Sequence, residues 1–326
     1  MRWTVGLDMA TNTQIARELG ISVATVSRAL TRPEMVAANT RERVLAKARA
    51  LGLKPEPKGK SKVTVPVDEN KCLGVIVADL NNPFSAGVLN AISQRAHEDG
   101  VRIILGVSNE SAVVERQLLT DFNQCDLLGL IAMPVGAPLT INLNCRNVVT
   151  VDRPWEDKDY KCALLDNAQA VAIAYEHLRA RGHERIAFLS GKSSLYTFRE
   201  RLNAAKSYGL ECFELDALEY SELYNQAIMR ADILLKRSDR PSAIITANNA
   251  ITSGVVYALT QRNVQMPQDM ALVSIGDPDW CRFFPAPITA VKTPDMELGY
   301  CAYDMLKKSE PRIQLIEPSL EIRSSS

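Results

Sequence analysis

The stretch TNTQIARELGISVATVSRAL, residues 11–30, decides the fold of the N-terminal part of the chain. Its apolar residues recur at helical spacing in two short runs, which meet at Gly20, where a tight turn requires a residue without a Cβ atom. A small residue, Ala16, stands four positions before this glycine, and an apolar residue, Val26, stands six positions after it. This spacing predicts a helix-turn-helix, a motif that places its second helix against DNA.

Polar residues mark the predicted helix ends. Thr13 can cap the first helix and Ser22 can cap the second, because a hydroxyl oxygen can accept a hydrogen bond from an unpaired backbone N–H. A third helix follows, beginning at Asn39 or Thr40 and ending at Gly52. The N-terminal part is therefore predicted to be a small all-α head.

The charge of the chain is unevenly distributed. The whole chain has a formal net charge of zero, with 38 basic and 38 acidic residues. Residues 1–62 contain twelve Lys or Arg and five Asp or Glu, a net charge of +7, so the remaining residues carry 26 basic and 33 acidic residues, a net charge of −7. A basic head on an acidic body indicates a head that binds a polyanion. A solvated helix surface would explain the same charge equally well.

The head resembles the DNA-binding domain of the LacI/GalR family of bacterial repressors. The segments ATVSRAL, RPEMVAANTRERV and ARALGLKP carry the resemblance without a break in register. In that family the second helix lies in the major groove, which implies that Val23, Ala24 and Arg28 face the bases. Arg28 can donate two hydrogen bonds to a guanine, which is worth about 1–3 kcal/mol of discrimination.

Valine and alanine side chains offer no hydrogen bonds, so Val23 and Ala24 can select a base only by shape or by contact with a thymine methyl group. The remaining DNA-binding residues that we assign are polar, and each hydroxyl among them could equally be only a helix cap. They are Thr13, Ser22, Thr25, Ser27, Asn39 and Thr40.

Residues 54–71, KPEPKGKSKVTVPVDENK, predict an extended hinge or linker because they contain three prolines and a glycine. The predicted domains are therefore a DNA-binding head over residues 1–53, this flexible linker, and an effector-binding and dimerisation domain over residues 72–326. Most members of the family have a hinge helix here that places a leucine in the minor groove. This chain has Glu56 and Pro57 instead, and its linker is most similar to that of the cytidine repressor.

A flexible tether would let two heads bind half-sites at several spacings, at a cost in preorganisation and affinity. A helper protein on neighbouring DNA could restore that affinity. Through the resemblance of the linker, that partner would be the cyclic-AMP receptor protein. Lys58, Lys60 and Lys62 would add non-specific attraction to phosphates, or the segment would be only a spacer.

Apolar runs typical of buried strands alternate with amphipathic runs typical of helices from Cys72 onward. The predicted strands are CLGVIVADL, VRIILGVSN, LLGLIAMPVG, NVVTVD, RIAFLSG, SAIITANN and ALVSIGD. The helices between them are FSAGVLNAISQRAHEDG, ESAVVERQLLTDFNQC, AVAIAYEHLRARGH, RLNAAKSYGL, YNQAIMRADILLKR and ITSGVVYALTQRN. This alternation predicts an α/β body with parallel sheets in two lobes and a ligand cleft at the carboxyl ends of the strands.

The body, from Leu73 to Ile322, resembles the effector-binding core of the same family, which is similar to periplasmic sugar-binding proteins. DLNNPF, LLDN, GHERIAFLSG, RLNAA and ITANN carry this resemblance. It implies four residues in the cleft: Phe84 stacking on the ligand, Asp152 accepting from a hydroxyl, Arg201 as a polar clamp and Asn248 as an amide partner. Other roles remain open for three of these: Phe84 in the core, Asp152 as a turn cap and Arg201 as a surface charge.

Two positions depart from the family pattern in the cleft region. Asn249 stands where aspartate is usual, and SIGDPDW places Asp277 one residue beyond the position of the last cleft aspartate. Either a small shift brings Asp277 into the cleft or that contact is absent. The amides and aromatic rings of Asn249, Tyr196, Phe198 and Trp280 could suit a nucleoside, whereas several carboxylates would suit a sugar.

Signatures of an enzyme are missing from the sequence. SGKSS, residues 190–194, lacks the glycine of a phosphate-binding loop because Ile186 occupies that position. The three histidines show no HExxH spacing, no GxSxG segment occurs, and the seven cysteines are scattered. We therefore expect no catalytic residues, no metal and no cofactor.

The first residues lack the apolar core of a signal peptide, and no apolar run is long enough to span a membrane, so we expect a cytoplasmic protein. The leading hypothesis is a transcriptional repressor that binds operator DNA as a homodimer and responds to a nucleoside or a sugar. The alternative is a small-molecule binding protein of the periplasmic type without gene control, which the basic head and the missing signal peptide disfavour.

Overall fold

A computed structural model of the protein describes residues 13–31, 36–51, 72–136, 138–145, 147–308 and 311–326. The chain divides into two units, Met1–Pro66 and Val67–Ser326. The predicted linker, residues 54–71, and the predicted helix end at Gly52 lie outside the described residues. In the described part of the chain, no helix is long and apolar enough to cross a membrane.

The described part of the first unit consists of helix α1 over residues 13–19, α2 (Val23–Thr31) and α3 (Ala38–Ala50). Gly20 has a φ of +66°, a left-handed conformation that glycine adopts without strain, so the predicted turn between α1 and α2 is confirmed. Ser22 caps α2 as predicted, because its Oγ accepts a hydrogen bond from Thr25 N at 3.1 Å. Helix α3 begins at Ala38, slightly earlier than predicted.

Six small or branched apolar side chains form the core of this unit. They are Ile15, Ala16, Val26, Ala29, Val44 and Ala48. Thr13 already lies within α1, and the residues before it are not described, so its capping role stays a prediction.

The second unit contains two six-stranded sheets, each of which is covered by helices. The first sheet is entirely parallel, in the order β11-β5-β4-β3-β1-β2. Its strands are β1 (Cys72–Val77), β2 (Arg102–Val107), β3 (Leu127–Ala132), β4 (Val148–Val151), β5 (Lys161–Leu165) and β11 (Ile313–Ile316). Together with α4 (Pro83–Glu98), α5 (Ala112–Phe122) and α11 (Asp295–Lys307), this sheet forms the first lobe.

The second sheet has the order β12-β10-β9-β8-β6-β7, and β12 is antiparallel to β10. Its strands are β6 (Ile186–Ser190), β7 (Glu211–Glu214), β8 (Ala243–Thr246), β9 (Ala271–Ile275), β10 (Thr289–Lys292) and β12 (Ser319–Glu321). The second lobe consists of this sheet with α6 (Asn167–Ala180), α7 (Tyr196–Ser207), α8 (Tyr220–Leu235), α9 (Asn249–Gln261) and the short α10 (Trp280–Phe283).

Strand β1 shows why the sheets are sandwiched between helices. Five of its six residues are buried, as a parallel strand with covered faces requires. Val75 and Val77 pack in the same cluster as Val88 and Ile92 of α4, whereas Ile76, which points to the other face, packs with Leu119 of α5. The predicted α/β architecture with two lobes and parallel sheets is confirmed.

The chain passes between the lobes three times, after β5, after β10 and after β11. Consequently one edge strand of each sheet, β11 in the first and β12 in the second, comes from the last part of the chain. The carboxyl ends of the parallel strands of both lobes, where side chains can converge on a ligand, line one shared cleft.

Candidate DNA-contacting helix and interlobe cleft

Helix α2 has one buried face and one exposed face. Val26 and Ala29 point into the core, whereas Val23, Ala24 and Arg28 are exposed, so the three predicted base-reading residues share one accessible surface of the unit. Among the described residues, Arg28 forms no hydrogen bond or ion pair, which leaves its guanidinium available for a base.

The polar residues assigned to DNA differ in their placement. Ser22 lies at the start of α2 and its Oγ is 2.8 Å from Thr25 Oγ1, so these two hydroxyls support each other as well as the cap. Asn39 is exposed and Thr40 is half-buried, both in the first turn of α3. Backbone N–H groups at helix starts favour phosphates, which suits these positions. Thr13 is exposed and Ser27 is half-buried.

The interlobe cleft is lined by residues of both lobes that stand after strands or within the following helices. From the first lobe come Asp79, Asn82, Phe84, Ser85, Glu110, Asp152 and Arg153. The second lobe contributes Leu195, Thr197, Phe198, Arg201, Leu218, Tyr220, Leu223, Asn248, Asn249, Ile275, Gly276 and Thr293. The structure therefore brings together four of the five predicted effector residues, Phe84, Asp152, Arg201 and Asn248.

Arg153, which the sequence analysis did not assign, holds the carboxylates of the first lobe. It donates to both oxygens of Glu110 at 2.7 and 2.8 Å, to Asp152 Oδ2 at 3.1 Å and to Pro134 O at 3.0 Å. Burial alone would lower the pKa of Arg153, but these two carboxylates raise it above its usual value. Arg153 is thus a neutralised, structural cation that orients Asp152 towards the cleft wall.

Asp152 itself has a φ of +69°, a left-handed conformation that aspartate tolerates better than most residues. It is 5% exposed and follows β4 directly. Strain of this kind is common where a side chain is held for binding.

Arg201 is buried in the second lobe rather than lying on the surface. It donates from Nε to Asn167 Oδ1 at 2.8 Å and from Nη1 to Ala247 O. Burial lowers the pKa of Arg201 to about 10, so it stays protonated at neutral pH. No carboxylate among the described residues forms an ion pair with it, so its positive charge is available to a ligand in the cleft.

Aromatic rings and amides complete the cleft. Phe84 is half-buried and Phe198 is buried, one in each lobe. Asn248 caps α9, because its Oδ1 accepts a hydrogen bond from Ile251 N at 2.9 Å, so its side-chain amide is held by this bond at the cleft edge. The aromatic residues Tyr196 and Trp280, which were considered for a nucleoside platform, are not part of the cleft lining.

Asn249 joins the two lobes. Its Nδ2 donates to Asn82 Oδ1 of the first lobe at 3.0 Å, while its Oδ1 is buried and has no hydrogen-bond partner among the described residues. Gly276 makes this position possible, since a Cβ atom there would lie 2.1 Å from Asn249 Oδ1. A ligand with a hydrogen-bond donor would satisfy this acceptor, whose desolvation otherwise costs about 1–3 kcal/mol.

Asp277 is not in the cleft, which corrects the expectation for this residue. Its two carboxylate oxygens accept hydrogen bonds from Arg323 at 2.7 Å each, and Arg282 lies 3.5 Å away. The side chain is 2% exposed and therefore fully committed to this ion pair. The two preceding residues, Ile275 and Gly276, line the cleft instead.

Sequence reasoning missed several polar residues of the cleft, among them Asn82, Glu110 and Arg153. Two of them adjoin features that the sequence does indicate. Asn82 belongs to the segment DLNNPF, and Arg153 directly follows the predicted cleft residue Asp152. Glu110 follows the predicted strand VRIILGVSN, and its position at a strand end was the available signal. In the described part of the chain, no group of three His, Cys, Asp or Glu side chains is placed to hold a metal ion.

Comparison with known proteins agrees with this geometry. Residues 13–56 match the model of bacterial regulatory proteins of the lacI family, and residues 175–326 match that of the periplasmic binding protein-like domain. The chain is 28% identical to the HTH-type transcriptional repressor PurR of Photobacterium profundum, covering 97% of this chain and 98% of that protein. It is 26% identical to the ribose operon repressor of Escherichia coli, covering 94% and 95%.

The crystal structure of the lac repressor dimer bound to operator and the anti-inducer ONPF is similar in fold, with a TM-score of 0.67 at 21% identity over 95% of this chain and 97% of that chain. A helix-turn-helix head followed by a two-lobed core with a polar cleft defines a DNA-binding transcriptional regulator that responds to a small molecule. The chain is thus similar over nearly its whole length to repressors of the LacI family, and residues 13–56 match that family's regulatory-protein model.

Proposed function

We propose that this chain is a cytoplasmic repressor that binds operator DNA as a homodimer. When a nucleoside or a sugar occupies the interlobe cleft, the affinity for the operator falls or rises. The observation that carries the proposal is the convergence of Asp152, Arg201 and Asn249 in one cleft between the two lobes. These groups offer a carboxylate, a guanidinium and an unpaired amide oxygen to one ligand. The proposal includes no catalytic activity.

The chemistry of the cleft favours an uncharged ligand with several hydroxyl groups. Three carboxylates, Asp79, Glu110 and Asp152, stand against two guanidinium groups, Arg153 and Arg201, so the cleft carries a net charge of −1. Phe84 and Phe198 add apolar ring faces on which a sugar ring or a base can rest. A sugar or a nucleoside presents both a flat apolar face and hydroxyl groups, whereas a strongly anionic ligand would meet uncompensated carboxylates.

Control of DNA binding follows from linkage. A ligand can shift the protein towards or away from its DNA-binding state only through different affinities for the two states. A ligand held by both lobes senses their relative pose, so lobe pose is the variable that we connect to operator affinity. A flexible linker over residues 54–71, and the cyclic-AMP receptor protein as a helper on neighbouring DNA, remain part of the proposal on the strength of the linker sequence alone.

The effector response depends on Asp152 and Arg201. We expect D-ribose, adenosine or cytidine, tested by thermal shift on the full chain, to include a stabilising ligand, because a ligand at 100 times its Kd stabilises by about 2.7 kcal/mol. Asp152→Ala and Arg201→Ala should each abolish this shift and the change in operator affinity that the ligand causes. Operator affinity without ligand, measured by gel shift, should stay within about twofold.

Asp126→Ala and Arg116→Ala are matched controls, since both side chains are exposed outside the cleft and should leave the response intact. Circular dichroism of each variant establishes that it folds. Loss of operator binding in the cleft variants would show that these residues are structural. Tight sugar binding by a chain that binds no operator-like DNA would contradict the repressor and favour a binding protein without gene control.

A further inference from the structure

Two polar contacts between described residues cross from one lobe to the other at the cleft. Arg199 of α7 forms an ion pair with Glu156 at 2.5 Å, but these side chains are 31% and 54% exposed. Exposed ion pairs contribute about 0–1 kcal/mol. The second contact is the hydrogen bond from Asn249 to Asn82, in which Asn249 is only 5% exposed. A buried bond between neutral amides is the stronger candidate for holding the lobes together.

The direction of this hydrogen bond is fixed by the residues around it. Asn82 caps α4, and its Oδ1 accepts from Phe84 N at 3.2 Å, so this oxygen is held in place as an acceptor. Asn249 must therefore present its NH2 group. The reversed amide would place the oxygen of Asn249 against the oxygen of Asn82. In the observed orientation, the Asn249 oxygen lies beside Gly276, which leaves room for it because glycine has no side chain.

We propose that the Asn249–Asn82 bond is a neutral latch that holds the two lobes together in the ligand-free protein. Asn249 closes it because an amide can donate to the capping oxygen of Asn82, which a carboxylate at that position could not do. Loss of the bond leaves the Nδ2 donor of Asn249 without this partner, while Asn82 Oδ1 keeps its bond from Phe84 N. The closed arrangement of the lobes is then less stable. The latch is thus a positioning device for the cleft and does not require a ligand to act.

The same chemical change at the two ends of the bond has opposite effects. Asn249→Asp replaces the donor with a carboxylate oxygen that repels Asn82 Oδ1, so the lobes separate. Asn82→Asp keeps the cap of α4, since aspartate is an equally good N-cap, and accepts from Asn249 through a stronger, charge-assisted bond. If the two asparagines had only a structural role, either substitution would destabilise the protein.

The link between this latch and DNA rests on the proposed function, in which lobe pose sets operator affinity. Asn249→Asp and Asn82→Asp should then shift operator affinity, measured without ligand, in opposite directions. Unchanged operator affinity in variants whose lobes do open and tighten would refute the coupling in the proposed function while leaving the latch established.

Hydrogen exchange with mass spectrometry on the full ligand-free chain tests the latch. Peptides covering residues 79–90 and 246–256 should exchange faster by about threefold or more in Asn249→Asp and more slowly in Asn82→Asp, whereas a peptide covering β3 should not change. Asn81→Asp is the control, because Asn81 is exposed beside Asn82 and takes no part in the bond. If Asn249→Asp does not fold, Asn249→Ala removes the donor without adding charge and should also exchange faster. Wild-type exchange in the Asn249 variant, or faster exchange in Asn82→Asp, would overturn the proposal.

Discussion

Two buried arginines in the same cleft have opposite electrostatic environments. Arg153 is surrounded by Glu110 and Asp152, so its pKa is raised and its charge is cancelled within the protein. The charge of Arg201 has only neutral hydrogen-bond partners, and burial lowers its pKa to about 10. A buried charge without a charged partner is costly. A ligand that brings hydrogen-bond acceptors into the cleft would therefore stabilise the charge of Arg201 more than that of Arg153.

We propose that base discrimination by α2 depends on Arg28. Replacement by alanine should cost about 1–3 kcal/mol of operator affinity and relax the preference at one base pair, because a bidentate contact to guanine is lost. Binding to a library of operators in which one position at a time is varied measures this. Arg17→Ala, an exposed arginine on α1, should weaken binding to all sequences alike, if at all. An unchanged base preference in Arg28→Ala would reject it as a reader.

His177 makes the stability of the second lobe depend on pH. Its ring accepts at Nδ1 from Arg181 at 3.1 Å and lies 2.8 Å from Ser326 Oγ through Nε2, so the folded state contains the neutral ring. Burial and the Arg181 charge lower the pKa of His177 to about 4, against about 6.5 when unfolded. Its contribution is therefore complete above pH 6.5 and is lost as the pH falls towards 4, by about 1–2 kcal/mol between pH 7 and pH 5.

We expect His177→Gln to lose less stability than the wild type between pH 7 and pH 5, measured by urea unfolding at each pH. His97→Gln is the control, because His97 is exposed and its replacement should leave the pH profile unchanged. Parallel profiles for wild type and His177→Gln would show that the ring does not titrate in this way.

At the scale of elements, helices α4 and α11 pack closely enough for their backbones to meet. A Cβ atom on Gly299 would lie 2.5 Å from Val88 O and 2.6 Å from the Cβ of Ala91, so the two backbones touch at this point. The contact fixes the axis of α4, whose first turn carries Asn82 and Phe84 into the cleft. Small residues in this contact are a requirement of the site and not only of the core.

Gly299→Ala should destabilise the protein by about 1–3 kcal/mol, because a backbone carbonyl cannot move aside for the new methyl group. This loss exceeds the gain of about 1 kcal/mol that alanine brings within a helix. Thermal unfolding measures the change, with Glu297→Ala on the exposed side of α11 as a control that should stay within about 0.5 kcal/mol. A stabilised Gly299→Ala variant would contradict such close packing.

The sequence predicts the longer apolar strands well and the short strands poorly. The buried strands β5 and β10 were missed together with β7, β11 and β12, whereas the edge strand β2 was predicted. Strands such as β1 and β9 are runs of buried apolar residues, and their patterns were sufficient. Edge strands β7, with the sequence ECFE, and β11, with IQLI, are short and partly exposed, so their patterns resemble those of loops. Helix α11 was also not predicted. It follows β10, where the chain returns to the first lobe, and the local sequence contains no signal for this return.

At the scale of the whole molecule, the resemblance to the family predicted Phe84, Asp152, Arg201 and Asn248 in the cleft. The position after a strand accounts for Asp152 and Asn248, because the carboxyl ends of parallel strands meet in one place, whereas Phe84 and Arg201 lie within helices. Asp277 satisfies the same rule but is bound by Arg323, a residue 46 positions later in the chain. Pairings at that separation, like those of Arg153 with Glu110, depend on the three-dimensional fold and leave no mark in the local sequence.

The three passages between the lobes also determine when the protein becomes complete during synthesis. Strands β11 and β12 complete the two sheets. Neither lobe can therefore be complete until the ribosome has translated residues 313–321. The packed residues of the head lie before residue 52 and can assemble long before that point. Every nascent chain therefore passes through a stage in which a head able to meet DNA is attached to a core that cannot yet hold a ligand.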